Sequence, residues 1–503
     1  MYILDKIEYW AGFSPKATAI RYNNISVSYE DLNKLSTGLS SIIIKKLENV
    51  SKQVPVMILC KRSEKFIIAI LGVMKSGNYY VPIELPHPKE RIKHIAEQLG
   101  DYIVITDEEK CLWDGLDPRK VLYLDDINNE GAAQLDIKNY KGITQKEICY
   151  IMFTSGSTGV PKGVLLRYES LNNLVINFLN SIYLNFKNSI YVGVLSSFSF
   201  DASIKQIFGA LYYGHSLVIA KKEERMFSRK IQNFIDKNKI SIIDGTPSIY
   251  KILMQQQCNI LWQVKYFLIG GEMLSWDFVN SFYMYLKYKP IIVNVYGPTE
   301  CCVDASSYWI NDLNFNLKGK NVYIGKPIPN AKFQIYKNSN EIAKVGEVGE
   351  LYISGVLVGE GYWGHPEDDS FYFDKDYGRT YKTGDLAILH ADNNFEIIGR
   401  KDEQVKVHGN RLELEEVRVK LANIIANNNV EVIFDSKNEK LYAFVYDNIG
   451  KNAKNEKKIM DILRCQLPAY GMPNHIIFCK DYFPINANGK VDKEMLLLKY
   501  LNA

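Results

Sequence analysis

Apolar β-branched runs alternate along the first three hundred residues with stretches of mixed polarity. Val54-Pro55-Val56-Met57-Ile58-Leu59-Cys60 is continuous enough to predict a strand covered on both faces, and Glu64 to Met74 then predicts a helix packed on it. Tyr102-Ile103-Val104-Ile105-Thr106, Ile148 to Phe153 and Ser216 to Ala220 predict further strands. Strand and helix in alternation imply α/β architecture with largely parallel sheets. The texture changes near residue 320. Short runs such as Phe333-Gln334-Ile335-Tyr336 and Gly349-Glu350-Leu351-Tyr352-Ile353 sit between Gly and Asp turns and predict a β-rich subdomain. A charged, Gly-bounded segment at 399–411 marks a linker or hinge near Lys401-Asp402, and the last hundred residues read as a small α+β domain. Lys451 to Lys458 is the most linker-like part of that tail.

Length agrees with this division, because 503 residues exceed one ordinary core and suggest about two to four domains or subdomains. The expected layout is a large N-terminal core, 1–400, made of two α/β subdomains and the β-rich one, followed by a small mobile domain, 401–503. With 47% hydrophobic and 23% charged residues the composition is that of a globular protein. The net charge of +4 comes from scattered residues, so neither a nucleic acid nor a membrane surface is expected as a partner. The apolar run Phe66 to Met74 is too short to span a bilayer, and Asp5, Lys6 and Glu8 interrupt any signal-peptide core, so a cytoplasmic protein is expected. The eight cysteines form no Cys-x-x-Cys pair and no zinc spacing, and are expected to be buried free thiols.

The chemistry concentrates in Thr154-Ser155-Gly156-Ser157-Thr158-Gly159-Val160-Pro161-Lys162-Gly163. Four hydroxyls, three glycines and a lysine follow an apolar strand. Such a loop turns N–H groups and hydroxyls toward one anion, and Lys162 adds a point charge for phosphate. It lacks the Gly-Lys-Ser/Thr ending of a kinase-type phosphate loop. Gly359-x-Gly361-x-x-Gly364 matches a dinucleotide fingerprint by letter only, since His365-Pro366 follows; these are expected to be turn glycines.

The ten-residue string resembles the signature of the adenylate-forming superfamily, and further motifs follow in the order of the amino-acid-activating branch found in non-ribosomal peptide synthetases. They are Ser28-Tyr29-Glu30-Asp31-Leu32-Asn33, Lys75 to Ile83, Phe200-Asp201-Ala202-Ser203, Asn294 to Glu300, Gly349 to Tyr352, Tyr381 to Leu386, the segment 399–413, Leu467 to Tyr470, and Asn488 to Asp492. The resemblance implies ATP and Mg2+ as cofactors. It places Thr154, Ser155, Gly156, Ser157, Thr158, Gly159 and Lys162 on phosphate, with Thr154 and Lys162 counted as catalytic. Tyr296 is implied to stack on adenine, Thr299 to touch the α-phosphate, Glu300 to hold magnesium, and Asp385 with Arg400 to take the ribose. Gly270, Gly271, Glu272, Asn294 and Gly297 complete the nucleotide positions. Lys490 is implied to bridge carboxylate and α-phosphate, and Asp402 to be the hinge. The chemistry needs no general base, because a carboxylate is already ionised at pH 7.

In the same resemblance Asp201 pairs with a substrate α-ammonium; as a residue type it equally suits a helix N-cap. The pocket reads Asp201, Ala202, Lys205, Asp244, Leu268, Gly270, Val295, Val303, Asp304 and Lys490, and is similar to glutamate-activating pockets. A buried lysine suits a second carboxylate. Alternatively, Lys205 pairs with Asp201 at i+4 on a solvent-facing helix. Glutamine follows glutamate, because Asp244 or Asp304 can neutralise Lys205, and aspartate comes third. Three positions depart from the family pattern: Tyr168 for histidine, His408 for arginine and Asn486 for threonine or serine. With no carrier motif and no preceding condensation domain, the chain is expected to be freestanding, loading a separate carrier protein's phosphopantetheine thiol. The rival readings are an acyl-CoA ligase, a D-alanyl carrier-protein ligase and a catalytically dead nucleotide-binding scaffold.

Overall fold

The computed structural model of the chain describes residues 3–47, 53–108, 113, 116–124, 143–156, 160–256, 263–311, 320–338, 341–402, 404–436, 438–447, 455–485 and 491–501. These form two compact units. The first comprises Met1–Pro86, Gln98–Phe153 and Gly163–Lys401; the second comprises His87–Glu97, Thr154–Lys162 and Asp402–Ala503.

The continuous apolar runs become interior parallel strands. Pro55–Lys61 pairs in parallel with Tyr79–Leu85 on one side and Ile103–Thr106 on the other, and Tyr79–Leu85 pairs with Ile148–Thr154. Pro55 through Cys60 are all buried, as strands covered on both faces require. This seven-stranded sheet ends at Val121–Tyr123 on one edge and Gly361–Tyr362 on the other.

A nine-stranded sheet carries most of the site. Its central strands are β1 (Tyr191–Val194), β2 (Ser216–Ile219), β3 (Ile240–Gly245), β4 (Tyr266–Gly270), β5 (Ile291–Tyr296) and β6 (Ser306–Ile310), and the helix α1 (Ala202–Tyr212) connects β1 to β2. The sheet order is Lys326–Pro327, β6, β5, β4, β3, β1, β2, Thr18–Tyr22 and Ile25–Ser28. Pairing is parallel from β5 through to Thr18–Tyr22 and antiparallel at both margins. The β-rich region folds as a third, antiparallel sheet built on Ala331–Asn338, Val348–Gly355 and Gly378–Leu389. The mixed α/β class expected from the sequence is the class observed.

A buried ion pair joins the first two sheets. Glu84, on Tyr79–Leu85, accepts from Arg62 at 3.0 Å and from the Phe198 amide at 2.8 Å. Arg62 also donates to the carbonyls of Val194, Ser196 and Ala220, at the ends of β1 and β2. Four hydrogen bonds thus tie this fork in place, so the loop from Ser196 to Asp201 leaves the sheet at a fixed angle.

In the second unit, Gln404–Val407 and Asn410–Glu413 form a hairpin. Its two turn residues, His408 (φ 50°) and Gly409 (φ 79°), are both left-handed, as a tight two-residue hairpin turn requires. Val430–Asp435, Lys440–Tyr446 and His475–Cys479 make a small sheet, accompanied by helices Leu414–Ile425 and Glu456–Gln466. That second helix corrects the linker expected at Lys451 to Lys458: Glu456–Lys458 are helical, and 451–454 lie outside the described residues. Its apolar residues Ile459 and Leu463 are buried, so core packing overrides the local run of lysines. The expectation for cysteines holds for Cys60, Cys149, Cys301, Cys302 and Cys479, which are buried free thiols. Cys465 is exposed, on the outer face of Glu456–Gln466, and Cys111 and Cys258 lie outside the described residues. Among the described residues no helix is long and apolar enough to cross a membrane.

Candidate active site

Parallel strands end together, and the side chains at their carboxyl ends share one crevice. In the first unit these ends supply Asp244 from β3, Leu268 and Gly270 from β4, and Val295 and Tyr296 from β5. Asp244 lies in register with Leu268, and Gly270 with Val295. Leu268 and Val295 are buried walls. Gly270 has no alternative residue at this separation, because a Cβ there would stand 2.6 Å from the Val295 carbonyl oxygen.

The helix α1 brings the charged groups. Asp201 stands at its N-cap, yet its side chain makes no capping hydrogen bond. Instead the carboxylate accepts from the Thr299 hydroxyl at 2.6 Å. Lys205, one turn later beside Ala202 on the same helix, is 4% exposed. Its Nζ lies 3.2 Å from Asp244 and 3.1 Å from Asp304. The solvent-facing i+4 alternative is therefore excluded: the lysine points into the core, between two aspartates. Burial alone would lower the Lys205 pKa, but attraction to both carboxylates outweighs it and holds the pKa above the ordinary lysine value. Burial raises both acids against the pull of the lysine, Asp304 to about 6.

The loop carrying Asp304 is strained. Cys302 and Val303 are both left-handed, at φ 53° and 75°. The Asp304 amide donates back to the Cys302 carbonyl at 3.0 Å, closing a three-residue turn around Val303. A β-branched residue at positive φ in such a turn costs on the order of 1–3 kcal/mol, and strain of this kind concentrates at functional sites. Gly297 accommodates the loop, since a Cβ on it would meet the Val303 carbonyl oxygen at 2.3 Å. Glu300, in the short turn Thr299–Cys301, is fully buried, and one of its oxygens accepts from the Tyr362 hydroxyl at 2.5 Å.

A second cluster stands at the end of β5. The Tyr296 hydroxyl donates to Asp385 at 2.5 Å, and Arg400 donates to the other oxygen of Asp385 at 2.8 Å. Asn294 is directed elsewhere, donating to the Tyr323 carbonyl at 2.7 Å. Gly271 is left-handed at φ 80°, and Glu272 accepts from the Ser248 amide and hydroxyl.

Of the phosphate loop, Thr154, Ser155, Gly156 and Lys162 are described, within the second unit; Ser157, Thr158 and Gly159 are not. A Cβ on Gly156 would fall 1.9 Å from the Val160 carbonyl oxygen, so the loop doubles back on itself too closely for any other residue. The Ser155 hydroxyl donates to the Arg411 carbonyl at 3.0 Å, and the Thr154 hydroxyl to the Lys162 carbonyl at 3.5 Å. Asp402 accepts from the Gln404 amide. Lys490 and Asn486 lie outside the described residues. Tyr168 is buried, and its hydroxyl has no hydrogen-bond partner among the described residues.

Two residues of these clusters were not singled out in the sequence. Gln206 donates to Asp244 at 3.2 Å from the position after Lys205, and Tyr362 holds Glu300. Helical phase places Gln206 one turn after Ala202 on the same face, so a signal existed. Tyr362 is remote in sequence from Glu300 and gave none.

Comparisons with known proteins place the chain in a family. The family model described as AMP-binding enzyme matches residues 7–363. Bacitracin synthase 1 of Bacillus licheniformis is 32% identical over 99% of this chain, and surfactin synthase subunit 1 of Bacillus subtilis is 32% identical over 95% of it. The chain spans only 9% and 13% of those two proteins. Among solved structures, the Vibrio cholerae adenylation domain AlmE, in complex with glycyl-adenosine-5'-phosphate, superposes with a TM-score of 0.83 at 19% identity, covering 100% of this chain and 97% of that one. The fold is thus shared with an adenylation domain, and the family match extends over most of the sequence. The chain belongs to the AMP-binding enzyme family.

Proposed function

We propose that this enzyme activates an amino acid, L-glutamate first, as an aminoacyl-AMP, and passes the aminoacyl group to the phosphopantetheine thiol of a separate carrier protein. The observation that carries the choice of acid is Lys205, buried between Asp244 and Asp304 at the carboxyl ends of the parallel strands. An enzyme for a simple fatty or aryl acid has no use for a buried cation there, nor does one for a small apolar amino acid. In the first step the substrate carboxylate oxygen attacks the α-phosphorus of ATP, the bond to the bridging oxygen breaks, and pyrophosphate leaves with both electrons. Positioning and charge neutralisation carry such a step. Asp201 is assigned to the α-ammonium, Tyr296 to adenine, Asp385 and Arg400 to the ribose, Thr154, Lys162 and Thr299 to phosphate, and Lys490 to the bridge between carboxylate and α-phosphate. Asp402 is the proposed hinge for the second step.

Magnesium fits the residues present. Glu300 offers hard carboxylate oxygens in a turn where Tyr362 fixes its orientation, and Mg2+ takes one or two carboxylates plus phosphate oxygens. When bound, it would neutralise the leaving pyrophosphate. Glutamine is the second reading, favoured by the two aspartates that already neutralise Lys205.

Exchange of labelled pyrophosphate into ATP, run over the twenty amino acids with Mg2+, tests the proposal. Glutamate is expected to give the highest kcat/KM, and chelation of Mg2+ to abolish exchange. Silence with both glutamate and glutamine would overturn the pocket assignment.

A further inference from the structure

One buried polar side chain in the pocket has no role in the reading above. Gln206 is 2% exposed. Its Nε2 donates to Asp244 Oδ2 at 3.2 Å and to Ser196 Oγ at 2.8 Å, while its Oε1 is buried without a hydrogen-bond partner among the described residues. The amide cannot be reversed, since its oxygen would then face a carboxylate. It is aimed by charge rather than by its own satisfaction.

The charges decide what this aim achieves. Lys205 brings one positive charge, and Asp244 and Asp304 bring two negative ones when ionised. A substrate carrying a second carboxylate adds a third to one buried cation. Three carboxylates on one lysine are not sustainable in the interior, so one of them must hold a proton. The two aspartates are not equivalent. Asp244 accepts from Gln206 and pairs with Lys205. Asp304 accepts a hydrogen bond from Lys205 at Oδ1, whereas its Oδ2 accepts none among the described residues, although Nζ lies 3.1 Å away. The groups that face this pair are Lys205 and Asp201 at α1, Asp244 from β3, the phenols of Tyr183 and Tyr250 toward Asp244, and Cys302 in the turn before Asp304, itself hydrogen-bonded to Tyr150.

We propose that Gln206 is a specificity-determining positioning residue: it keeps Asp244 as the ionised partner of Lys205, so that Asp304 takes up the proton and donates it, as a hydrogen bond from Oδ2, to the side-chain carboxylate of glutamate. The proposal rests on the glutamate reading above. Binding glutamate then takes up one proton, and binding glutamine takes up none, because an amide donates to the ionised Asp304. Burial, which already lifts Asp304 to about 6 in the free enzyme, works in the same direction.

Pyrophosphate exchange with glutamate and with glutamine, from pH 6 to 9, separates the possibilities. For the unaltered enzyme the glutamate-to-glutamine ratio of kcat/KM is expected to fall as pH rises, by up to about tenfold per pH unit. Gln206→Leu is expected to raise KM for glutamate roughly tenfold, the worth of a hydrogen bond to a charged group, with kcat changing about twofold or less. Its pH profile should shift, because the proton is then shared by two aspartates. Asp304→Asn is expected to activate glutamate with a flat pH profile, since its amide donates without titrating. A folded Gln206→Leu enzyme with the parental ratio and pH profile would leave Gln206 a structural residue and overturn the proposal. If Gln206→Leu does not fold, Asp304→Asn decides alone: loss of glutamate with glutamine retained overturns it. An unaltered enzyme that activates neither acid sinks the glutamate reading itself, which is a different result from a glutamate enzyme indifferent to Gln206.

Discussion

Lys205 shows how far a single residue can be read. Its type and spacing from Asp201 allowed two environments, a solvent-facing helix pair or a buried pocket, and no local rule chose between them. Burial chose, because α1 turns this face toward β3. The consequence is measurable. Lys205→Met removes the cation but not the two carboxylates, leaving Asp244 and Asp304 buried against each other. Breaking a buried pair in this way costs about 3–5 kcal/mol, so the urea midpoint should fall markedly at pH 8 and recover in part near pH 5, where an aspartate can protonate. A midpoint that does not move would mean that Lys205 neutralises nothing. Asp201 is the complementary case. Both of its readings were plausible, and the cap reading loses because its carboxylate serves Thr299 instead of the helix.

At the scale of elements, apolar runs were legible because a strand covered on both faces leaves no polar position. The turn at Cys302–Val303 was not. Cysteine and valine carry no turn propensity, and valine disfavours positive φ. The turn exists because Gly297 leaves room for the Val303 carbonyl and because the Asp304 amide closes it. Gly297→Ala would place a methyl group against backbone atoms of Val303, Asp304 and Ala305, which cannot swing aside. The loop would have to move, carrying Asp304 off Lys205. Exchange activity should fall by at least roughly a hundredfold, since displacement by about 1 Å is enough to do so. A Gly297→Ala enzyme with parental kcat/KM would show that the turn positions nothing.

For the whole molecule, the buried Arg62–Glu84 pair and the core beneath it fix how two sheets of the first unit meet, and so where the Ser196–Asp201 loop starts. Burying polar groups there has a pH signature. His215, between the rings of Tyr183 and Phe186, is held neutral by burial, with its pKa lowered to about 4. The unfolded chain binds that proton near pH 6.5. Stability from this residue is therefore complete above pH 6.5 and is lost as pH falls toward 4. Between pH 7 and 5 the loss is about 2 kcal/mol, so His215→Phe should show a smaller drop in Tm over that interval than the unaltered enzyme. Parallel Tm–pH curves would argue against it.

The α/β class, the change to a β-rich region near residue 320, and a hydroxyl- and glycine-rich loop spaced unlike that of a kinase were all legible in the sequence alone. Each rests on local order: hydrophobic period, turn residues and glycines at sites of close approach. Tertiary structure decided what those residues meet. It set Lys205 between two aspartates, gave Thr299 to Asp201, tied Tyr362 to Glu300 and recruited Gln206, all pairings between groups distant in sequence. Side-chain charge selects such partners only once the sheet has brought its strand ends together, because desolvation makes an unmatched group costly there and nowhere else.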